Sequence, residues 1–221
     1  MIKYFIGKTY KPLLENYLSK TRRYNYKEIK LLIHPDVFHP AFFFSTKNLL
    51  KYISHLNVKQ KTFLELGAGS GLISIWAAKS GANVTATDIN PVAVEYLKKN
   101  SEKNKVCLNI VHSDLFKNIP HQCFDIIAIN PPFYKRNPKT NKDYAWYCGE
   151  NGEYFHSMFD SLTNYMHSHT IMLMILSSDC DLEMIRAIAF KNEFNLNCVF
   201  RKKNFIEENF IFKIEMPDQN R

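Results

Sequence analysis

Residues 61–71 read KTFLELGAGSG, and residues 84–90 read VTATDIN. In the first segment a short, mostly apolar run from Thr62 to Leu66 is followed by glycines at alternate positions and then by an apolar helical stretch. This pattern is typical of a buried parallel strand, a glycine turn and a helix N-terminus. Glycine allows positive φ and lets a ligand approach where a Cβ would collide. The segment therefore predicts a nucleotide-type pocket at the carboxyl end of a parallel sheet.

The spacing of the glycines and the position of the next acidic residue limit the class of ligand that the site can bind. Gly67, Gly69 and Gly71 form G-x-G-x-G, not the G-x-G-x-x-G of dinucleotide-binding proteins, which disfavours NAD. The second predicted strand, Asn83 to Thr87, ends at Asp88, about 20 residues beyond the glycines. A carboxylate at this position is suited to accept hydrogen bonds from two ribose hydroxyls. A nucleoside-containing ligand other than NAD is expected.

Strand and helix patterns alternate along most of the chain. The predicted strands are 62–66, 83–87, 107–112, 124–129 and 170–176, the predicted helices are 71–80, 91–103, 152–165 and 182–191, and 197–201 with 210–215 form a closing antiparallel pair. Such alternation with a β-only ending predicts an α/β fold, a doubly wound and mostly parallel sheet with an antiparallel edge. The polar stretch 134–150 is expected to be a mobile loop over the site.

The first 35 residues differ from the rest. They are rich in Lys and Tyr, with a predicted helix from Lys11 to Lys20 and a short strand from Ile29 to Ile33. This segment is too small for its own core, so we expect residues 1–35 to be a basic arm or lid packed on a main domain of residues 36–221. A proline-punctuated loop at 34–40 precedes a helix that is predicted to run from an N-cap at Ser45 or Thr46 through Leu56.

The charge of the chain is uneven. The net charge is +8, and residues 1–30 contain eight Lys or Arg against Glu15 and Glu28. A basic arm is compatible with a nucleic-acid or ribosome-associated partner, and equally with an ordinary solvated surface. Both interpretations stay open.

Composition also bears on other function classes. No apolar run is long enough for a membrane span, and the N-terminus lacks the pattern of a signal peptide, so a cytoplasmic protein with no membrane partner is expected. The 5 cysteines are odd in number and contain no C-x-x-C pair, which supports neither a zinc site nor a disulfide framework. The histidines form no carboxylate-supported set, so no metal is expected.

Residues 130–133, Asn-Pro-Pro-Phe, follow the fourth predicted strand and therefore come to the ligand-binding edge of the sheet. The Asn130 side-chain oxygen can accept one N–H of a planar NH2 group, and the backbone carbonyl of Pro131 can accept the other. The prolines fix the direction of that carbonyl, and Phe133 offers a face for stacking. Alternatively, the motif is only a turn after a strand.

Three motifs, E65-L-G-A-G-S-G71, D88-I-N-P-x-A-V94 and N130-P-P-F133, together resemble the class I S-adenosylmethionine-dependent methyltransferases. More narrowly, they are similar to amino- and amide-N-methyltransferases with an Asn-Pro-Pro-aromatic motif. The resemblance implies a Rossmann-like fold, S-adenosyl-L-methionine as cofactor, and N-methylation of a macromolecule, with no metal. It implies cofactor binding by Glu65, Gly67, Gly69, Gly71, Asp88, Ile89, Asp114, Asn130 and Thr46, and catalysis by Asn130, Pro131 and Phe133.

Two of the implied contacts have simpler alternatives. An acid in the family lies near the adenine amino group, where Asp114 fits, but Asp114 could instead cap the turn that follows it. An F-x-T-like entry to the helix after residue 44 lies over the methionine end of the cofactor in the family, and Phe44 and Thr46 match it loosely. These two residues could equally contribute an aromatic core contact and a helix cap.

The methyl acceptor stays open between two classes. Phe133 stands where relatives that modify glutamine usually carry Tyr, and Asn-Pro-Pro-Phe is common among resembling enzymes that act on RNA bases. Against this, residues 144–153 contain W-x-x-G-x-x-G, similar to release-factor glutamine methyltransferases. Our interpretation favours protein glutamine or a translation-associated target. The alternatives are an RNA base (adenine N6 or guanine N2) and a catalytically silent scaffold of the same fold.

Overall fold

The computed structural model describes residues 18–42, 44–204 and 207–216. Its strands are β1 Arg22–Tyr26, β2 Ile29–Ile33, β3 Thr62–Leu66, β4 Asn83–Asp88, β5 Asn109–His112, β6 Phe124–Ile129, β7 Met166–Ser177, β8 Asn195–Lys203 and β9 Glu208–Glu215. Its helices are α1 Phe44–Ile53, α2 Leu72–Lys79, α3 Pro91–Lys103, α4 Glu153–Leu162 and α5 Leu182–Lys191. Short 3-10 turns lie at Asp143–Ala145 and Thr163–Tyr165.

The main sheet confirms the predicted fold class. Its strand order is β5-β4-β3-β6-β7-β9-β8, and the first five strands in this order are mutually parallel. Strands β9 and β8 form the antiparallel edge. After β3 the chain moves outward to β4 and β5 and then returns to β6 on the other side of β3. Ligands in open α/β sheets bind at such a reversal of strand order.

The register of β3 and β6 places two predicted motifs side by side. Glu65 pairs with Ala128 and Leu66 pairs with Ile129. Gly67 and Asn130 are therefore the next residues on neighbouring parallel strands, at the same edge of the sheet. The start of the glycine loop and the start of the Asn-Pro-Pro-Phe motif are brought together by strand pairing alone.

Apolar side chains cover both faces of the sheet. Alternate residues of a strand point to opposite faces, and along β3 Phe63 belongs to one buried cluster while Leu64 and Leu66 belong to the other. The cluster with Leu64 is completed by α4 and α5, and the cluster with Phe63 by α1, α2, α3 and β2. A sheet with helices on both faces leaves only its strand ends open to a ligand.

The N-terminal part of the described chain is a β-hairpin. The predicted strand at residues 29–33 is confirmed, and it pairs antiparallel with β1, which the sequence reading did not anticipate. Its Ile29, Leu31 and Ile33 are buried in the same cluster as Phe63 of β3. The predicted helix from Lys11 to Lys20 lies almost entirely outside the described residues. The hairpin thus shares a core with the parallel sheet.

Asn100 of α3 and Asn104, which directly follows that helix, bind the free edge of β2. The Asn100 side-chain oxygen accepts from Leu32 N at 2.7 Å, and its Nδ2 donates to Leu32 O at 2.9 Å. Asn104 makes the same pair of bonds with Lys30 N (3.0 Å) and Lys30 O (2.8 Å). Buried backbone groups require such partners. The two side-chain amides take the place of a neighbouring strand.

Several predicted boundaries are wrong. Helix α1 begins at Phe44 and ends at Ile53, so Ser45 and Thr46 lie within its first turn and do not form the predicted N-cap. The chain leaves the helix because Leu56 N donates to Ile53 O in a tight turn. Strand β7 starts at Met166, earlier than predicted, since Met166 pairs with Phe124. The ends of β7, β8 and β9 follow their pairing partners and not the apolar runs in the sequence.

Candidate active site

A cleft opens at the carboxyl ends of β3, β4 and β6. Ten of the site residues expected from the sequence line it: Thr46, Glu65, Gly67, Gly69, Asp88, Ile89, Asp114, Asn130, Pro131 and Phe133. The cleft is also lined by residues that the sequence did not single out for this role, among them Val37, Phe38, Tyr154 and Glu207. The fold therefore places the three motifs around one cleft.

The glycine loop has one position open to the cleft and one closed by packing. Gly67 has φ 68°, and a Cβ built there would meet no heavy atom within 4 Å. Gly71 has φ 84°, and a Cβ there would lie 2.2 Å from Cδ1 of the buried Leu97 on α3. Gly71 does not line the cleft, although it was expected among the cofactor-binding residues. Its missing side chain allows α2 to start against α3.

The Asp88 carboxylate, at the end of β4, accepts backbone hydrogen bonds from the glycine loop and from the segment that follows β4. Its Oδ2 accepts from Gly69 N at 2.8 Å and its Oδ1 from Asn90 N at 2.9 Å. Burial raises the pKa of Asp88, and the two backbone N–H groups act in the opposite direction. Each carboxylate oxygen keeps a second acceptor position. The carboxylate can thus accept from ligand hydroxyls while it maintains the shape of the glycine loop.

Glu65, near the end of β3, is hydrogen-bonded to the first turn of α2. Its carboxyl is buried and accepts from Ser74 N at 2.8 Å and from the Ser74 hydroxyl. Burial raises the pKa of Glu65 to about 8, and the bonds from Ser74 lower it less. The side chain therefore carries a proton at neutral pH, which avoids an unpaired charge under the glycine loop.

Asn130 follows the last residue of β6. Its Nδ2 donates to Ser45 Oγ at 3.2 Å and to Thr46 Oγ1 at 3.1 Å, both in the first turn of α1. Its Oδ1 is buried and has no hydrogen-bond partner within residues 18–42, 44–204 and 207–216. Leaving a buried acceptor unpaired costs about 1–3 kcal/mol. The helix holds the amide in one orientation and leaves its oxygen available to a bound N–H donor.

Asp114 and Tyr154 also line the cleft. Asp114 accepts from Lys117 Nζ at 2.5 Å, which is a bond between side chains, whereas the hydroxyl of Ser113 accepts from Asn118 N and caps the turn. Tyr154, near the start of α4, carries a phenol whose pKa burial raises further, with negative charge from Asp88 adding to the effect. No sequence motif pointed to Tyr154, because only the packing of α4 brings it here.

Backbone hydrogen bonds hold the loop after Phe133, and several of its residues line the cleft. Tyr134 N donates to Trp146 O at 2.8 Å, and Cys148 N donates to Tyr134 O at 2.9 Å. The Trp146 ring lies 5.3 Å from the ring of Phe38, which joins the loop to the segment before α1. The stretch expected to be a mobile loop thus has backbone bonds of its own. Its mobility stays a prediction.

Two further structural features bear on the expectations. Over the described ranges, no set of three or more His, Cys, Asp or Glu side chains is arranged to hold a metal ion. Over the same ranges, no helix is both long enough and apolar enough to cross a membrane.

Comparisons with known proteins place the chain in a family. The profile of the methyltransferase small domain matches residues 28–152. A Methanocaldococcus jannaschii protein provisionally assigned as a protein N5-glutamine methyltransferase is 36% identical over 156 residues, which cover 68% of this chain and 77% of that protein. Other curated relatives are longer: the chain spans 16% and 17% of two bifunctional methyltransferases of Rickettsia.

Solved structures share the fold at low sequence identity. The E. cuniculi Mtq2–Trm112 complex, responsible for methylation of the eRF1 translation termination factor, gives a TM-score of 0.64 at 19% identity over 82% of this chain and 99% of that one. A T. thermophilus 16S rRNA N2 methyltransferase, solved with S-adenosylmethionine and guanosine, gives a TM-score of 0.62 at 17% identity, over 88% of this chain and 50% of that one. With its profile match and its relative in M. jannaschii, the chain belongs to the methyltransferase small domain family.

Proposed function

We propose that this protein is an S-adenosylmethionine-dependent N-methyltransferase that acts on a planar amide or amino nitrogen of a macromolecule. One observation carries the proposal: the buried, unpartnered Oδ1 of Asn130, on the strand next to the glycine loop. An acceptor held in this state is suited to bind an incoming N–H. A scaffold of the same fold would gain nothing from it, since the unpaired oxygen lowers stability.

The cleft has the features that the proposed cofactor needs. The position over Gly67 is open to a ligand, and Asp88 retains acceptor positions for ribose hydroxyls. Ile89 and Asp114 lie farther along the same wall, where an adenine ring with its amino group would follow the ribose. Thr46 and Asn130 lie at the other end. When bound there, the cofactor supplies a methyl group on a cationic sulfur, whose C–S bond breaks as the bond to the substrate nitrogen forms.

The residues of this chain orient the acceptor nitrogen. Asn130 Oδ1 accepts one of its N–H groups, and the backbone carbonyl of Pro131 accepts the other. Two such acceptors can favour a pyramidal nitrogen, which draws its lone pair out of conjugation and fixes its direction. Phe133 lines the cleft beside them and can stack on the planar group. Orientation and electrostatics of this kind supply several kcal/mol of barrier lowering.

No strong general base is needed in this scheme. The nitrogen becomes more acidic once it carries a fourth substituent, and its proton can then leave to water. Catalysis therefore depends on holding the nitrogen in place and on excluding other orientations. Ser45 and Thr46 contribute by fixing the Asn130 amide.

We favour a protein glutamine or another translation-associated protein as the substrate. The M. jannaschii relative supports this choice, because its assignment is to protein N5-glutamine methylation. An RNA base is the second candidate, and the basic residues Lys135, Arg136, Lys139 and Lys142 beside the cleft favour it. Two of these charges are already engaged: Lys135 pairs with Asp181 at 3.1 Å, and Arg136 lies over the Tyr147 ring.

Two further proposals concern the whole chain. Residues 1–35 are proposed as a basic recognition arm, of which the β1–β2 hairpin is the part that packs on the methyltransferase domain. We also propose a cytoplasmic protein, in agreement with the five cysteines, which are all free thiols.

Labelling with tritiated cofactor tests the function and the substrate class together. The purified protein is incubated with a dialysed whole-cell lysate and S-adenosylmethionine carrying a tritiated methyl group. We expect label in macromolecules that resists RNase and is lost with protease. Label that is lost after RNase would replace protein by RNA as the substrate, and no incorporation with any fraction would contradict the function itself.

A further inference from the structure

The cleft contains a second unpartnered acceptor besides Asn130. Glu207 precedes β9 and lines the cleft together with Asn130, Pro132 and Tyr134. Its Oε1 is buried and, like Asn130 Oδ1, has no hydrogen-bond partner within the part of the chain that the structure describes. A buried carboxylate oxygen without a partner is costly, so a bound donor is the simplest reason for it to be there.

Strand topology explains how a residue this late in the sequence reaches the site. Strand β7 lies between β6 and β9, and β9 runs antiparallel to it, so the start of β9 is at the edge where β6 ends. Ser177 at the end of β7 pairs with Asn209, and Ser178 N donates to Glu208 O at 2.8 Å. In the pairing register Asn130 is level with Ile211 of β9, four residues beyond Glu207. Two strand spacings of about 4.8 Å and four residues of about 3.3 Å along the strand put the two backbones about 16 Å apart, so only their side chains approach each other within the cleft.

Two hydrogen bonds with Asn204 hold the backbone of Glu207 in place. Glu207 N donates to Asn204 Oδ1 at 2.8 Å, and Asn204 N donates to Glu207 O at 3.0 Å. Burial raises the pKa of the Tyr134 phenol, and the negative charges of Asp179 and Glu207 add to this effect. Glu207 and Tyr134 both line the cleft. The backbone bonds hold the residue in place and leave the side-chain oxygen to the cleft.

We propose that Glu207 binds the substrate by accepting a second N–H in the cleft where Asn130 holds the methyl-accepting nitrogen, and thereby selects a peptide segment. This inference depends on the proposed methyl transfer. A peptide chain presents backbone N–H donors along its length as well as a side-chain amide, which suits two separate acceptors that line one cleft. A polynucleotide carries a phosphate on every residue, and a carboxylate inside the cleft repels it. Adenine, moreover, presents an acceptor nitrogen beside its amino group, whereas guanine presents a donor there and is disfavoured only by the repulsion of its phosphates.

The test compares Glu207→Gln with Glu208→Gln, its neighbour, whose carboxylate pairs with Arg201 outside the cleft. The probe is the dialysed lysate with tritiated cofactor, and calorimetry with S-adenosylhomocysteine and thermal unfolding are measured in parallel. We expect Glu207→Gln to slow incorporation at least tenfold, with cofactor-product affinity within twofold of wild type and an unchanged or higher Tm. Glu208→Gln should stay within twofold in rate, and Glu207→Asp, which keeps the carboxylate, should recover part of the rate.

The contrary results separate the two proposals. Rates within twofold for Glu207→Gln, or a lower Tm together with the lost rate, would show that Glu207 is not a substrate-binding residue. RNase-sensitive label would overturn the selection of a peptide. A wild-type protein that transfers no label would contradict the proposed function, and the role of Glu207 with it.

Discussion

At Asn130 the side-chain donor is used and the side-chain acceptor is not. The hydroxyls of Ser45 and Thr46 accept from Nδ2, while Oδ1 stays buried and unpaired among the described residues. The sequence predicted the chemistry of Asn130 because a strand end and two prolines are local features. It placed Thr46 at the site only by resemblance and gave Ser45 only the role of a candidate helix cap, since the contact between α1 and Asn130 spans more than 80 residues.

The raised pKa of Glu65 makes the stability of the protein depend on pH. Its pKa of about 8 in the fold, against an ordinary value of 4.5, means that the folded protein holds a proton that the unfolded chain has lost. The free energy of unfolding must then fall as the pH rises from about 5 to about 8. Glu65→Gln keeps an acceptor for Ser74 but has no proton to lose. Over this interval its free energy of unfolding should fall by at least about 1 kcal/mol less than that of the wild type.

Urea denaturation at pH 5, 6.5 and 8 measures this difference. Asp88, whose pKa burial also raises, leaves part of the slope in both proteins. Glu208→Gln is the matched control, because the hydrogen bonds from Arg201 lower the pKa of Glu208, so its carboxyl does not take up a proton in this pH interval. Parallel curves for wild type and Glu65→Gln would show that the buried carboxyl does not hold a proton in the fold.

At the scale of elements, α3 joins the N-terminal hairpin to the glycine loop. Asn100 bonds Leu32 N and O on β2, and its Nδ2 also donates to Ser70 O at 2.9 Å. One buried side chain thus serves the hairpin and the loop that borders the cleft. Removing it would leave three buried backbone groups without a partner.

Asn100→Ala should therefore weaken both elements. We expect the free energy of unfolding to fall by about 3 kcal/mol and the Leu32 amide to exchange faster with deuterium, with S-adenosylhomocysteine bound several-fold more weakly. Denaturation, hydrogen exchange and calorimetry check the three effects. Lys98→Ala, exposed on the same helix, is the control. Unchanged exchange at residues 29–33 would mean that the asparagine does not hold the hairpin.

The elements also show where sequence reading works. Helix α3, helix α5 and strands β3 and β6 begin and end as predicted, because each has a clear apolar pattern bounded by a turn or cap residue. Strand β1 was missed because its sequence, RRYNY, is charged and polar and becomes a strand only by pairing with β2. Strands β7 to β9 extend past their apolar runs since their partners continue the ladder.

For the whole molecule, the sheet order decides which residues meet. Gly67 and Asp88 come from motifs that the sequence displays, and the parallel register puts Gly67 between Asp88 on one side and Asn130 on the other. Tyr154 and Glu207 reach the same cleft from elements with no recognisable motif. Their places follow from helix packing over the sheet and from the antiparallel return of β9, which no local pattern encodes.

The central claim is that Asn130 orients the acceptor nitrogen and does not build the cofactor pocket. Its most direct test is Asn130→Ala, measured by calorimetry with S-adenosylhomocysteine and by tritiated methyl transfer to the lysate. We predict product affinity within about threefold of wild type and at least a hundredfold slower transfer, equivalent to about 2.7 kcal/mol of lost transition-state stabilisation. Transfer at the wild-type rate, or a parallel loss of affinity and rate, would contradict the account.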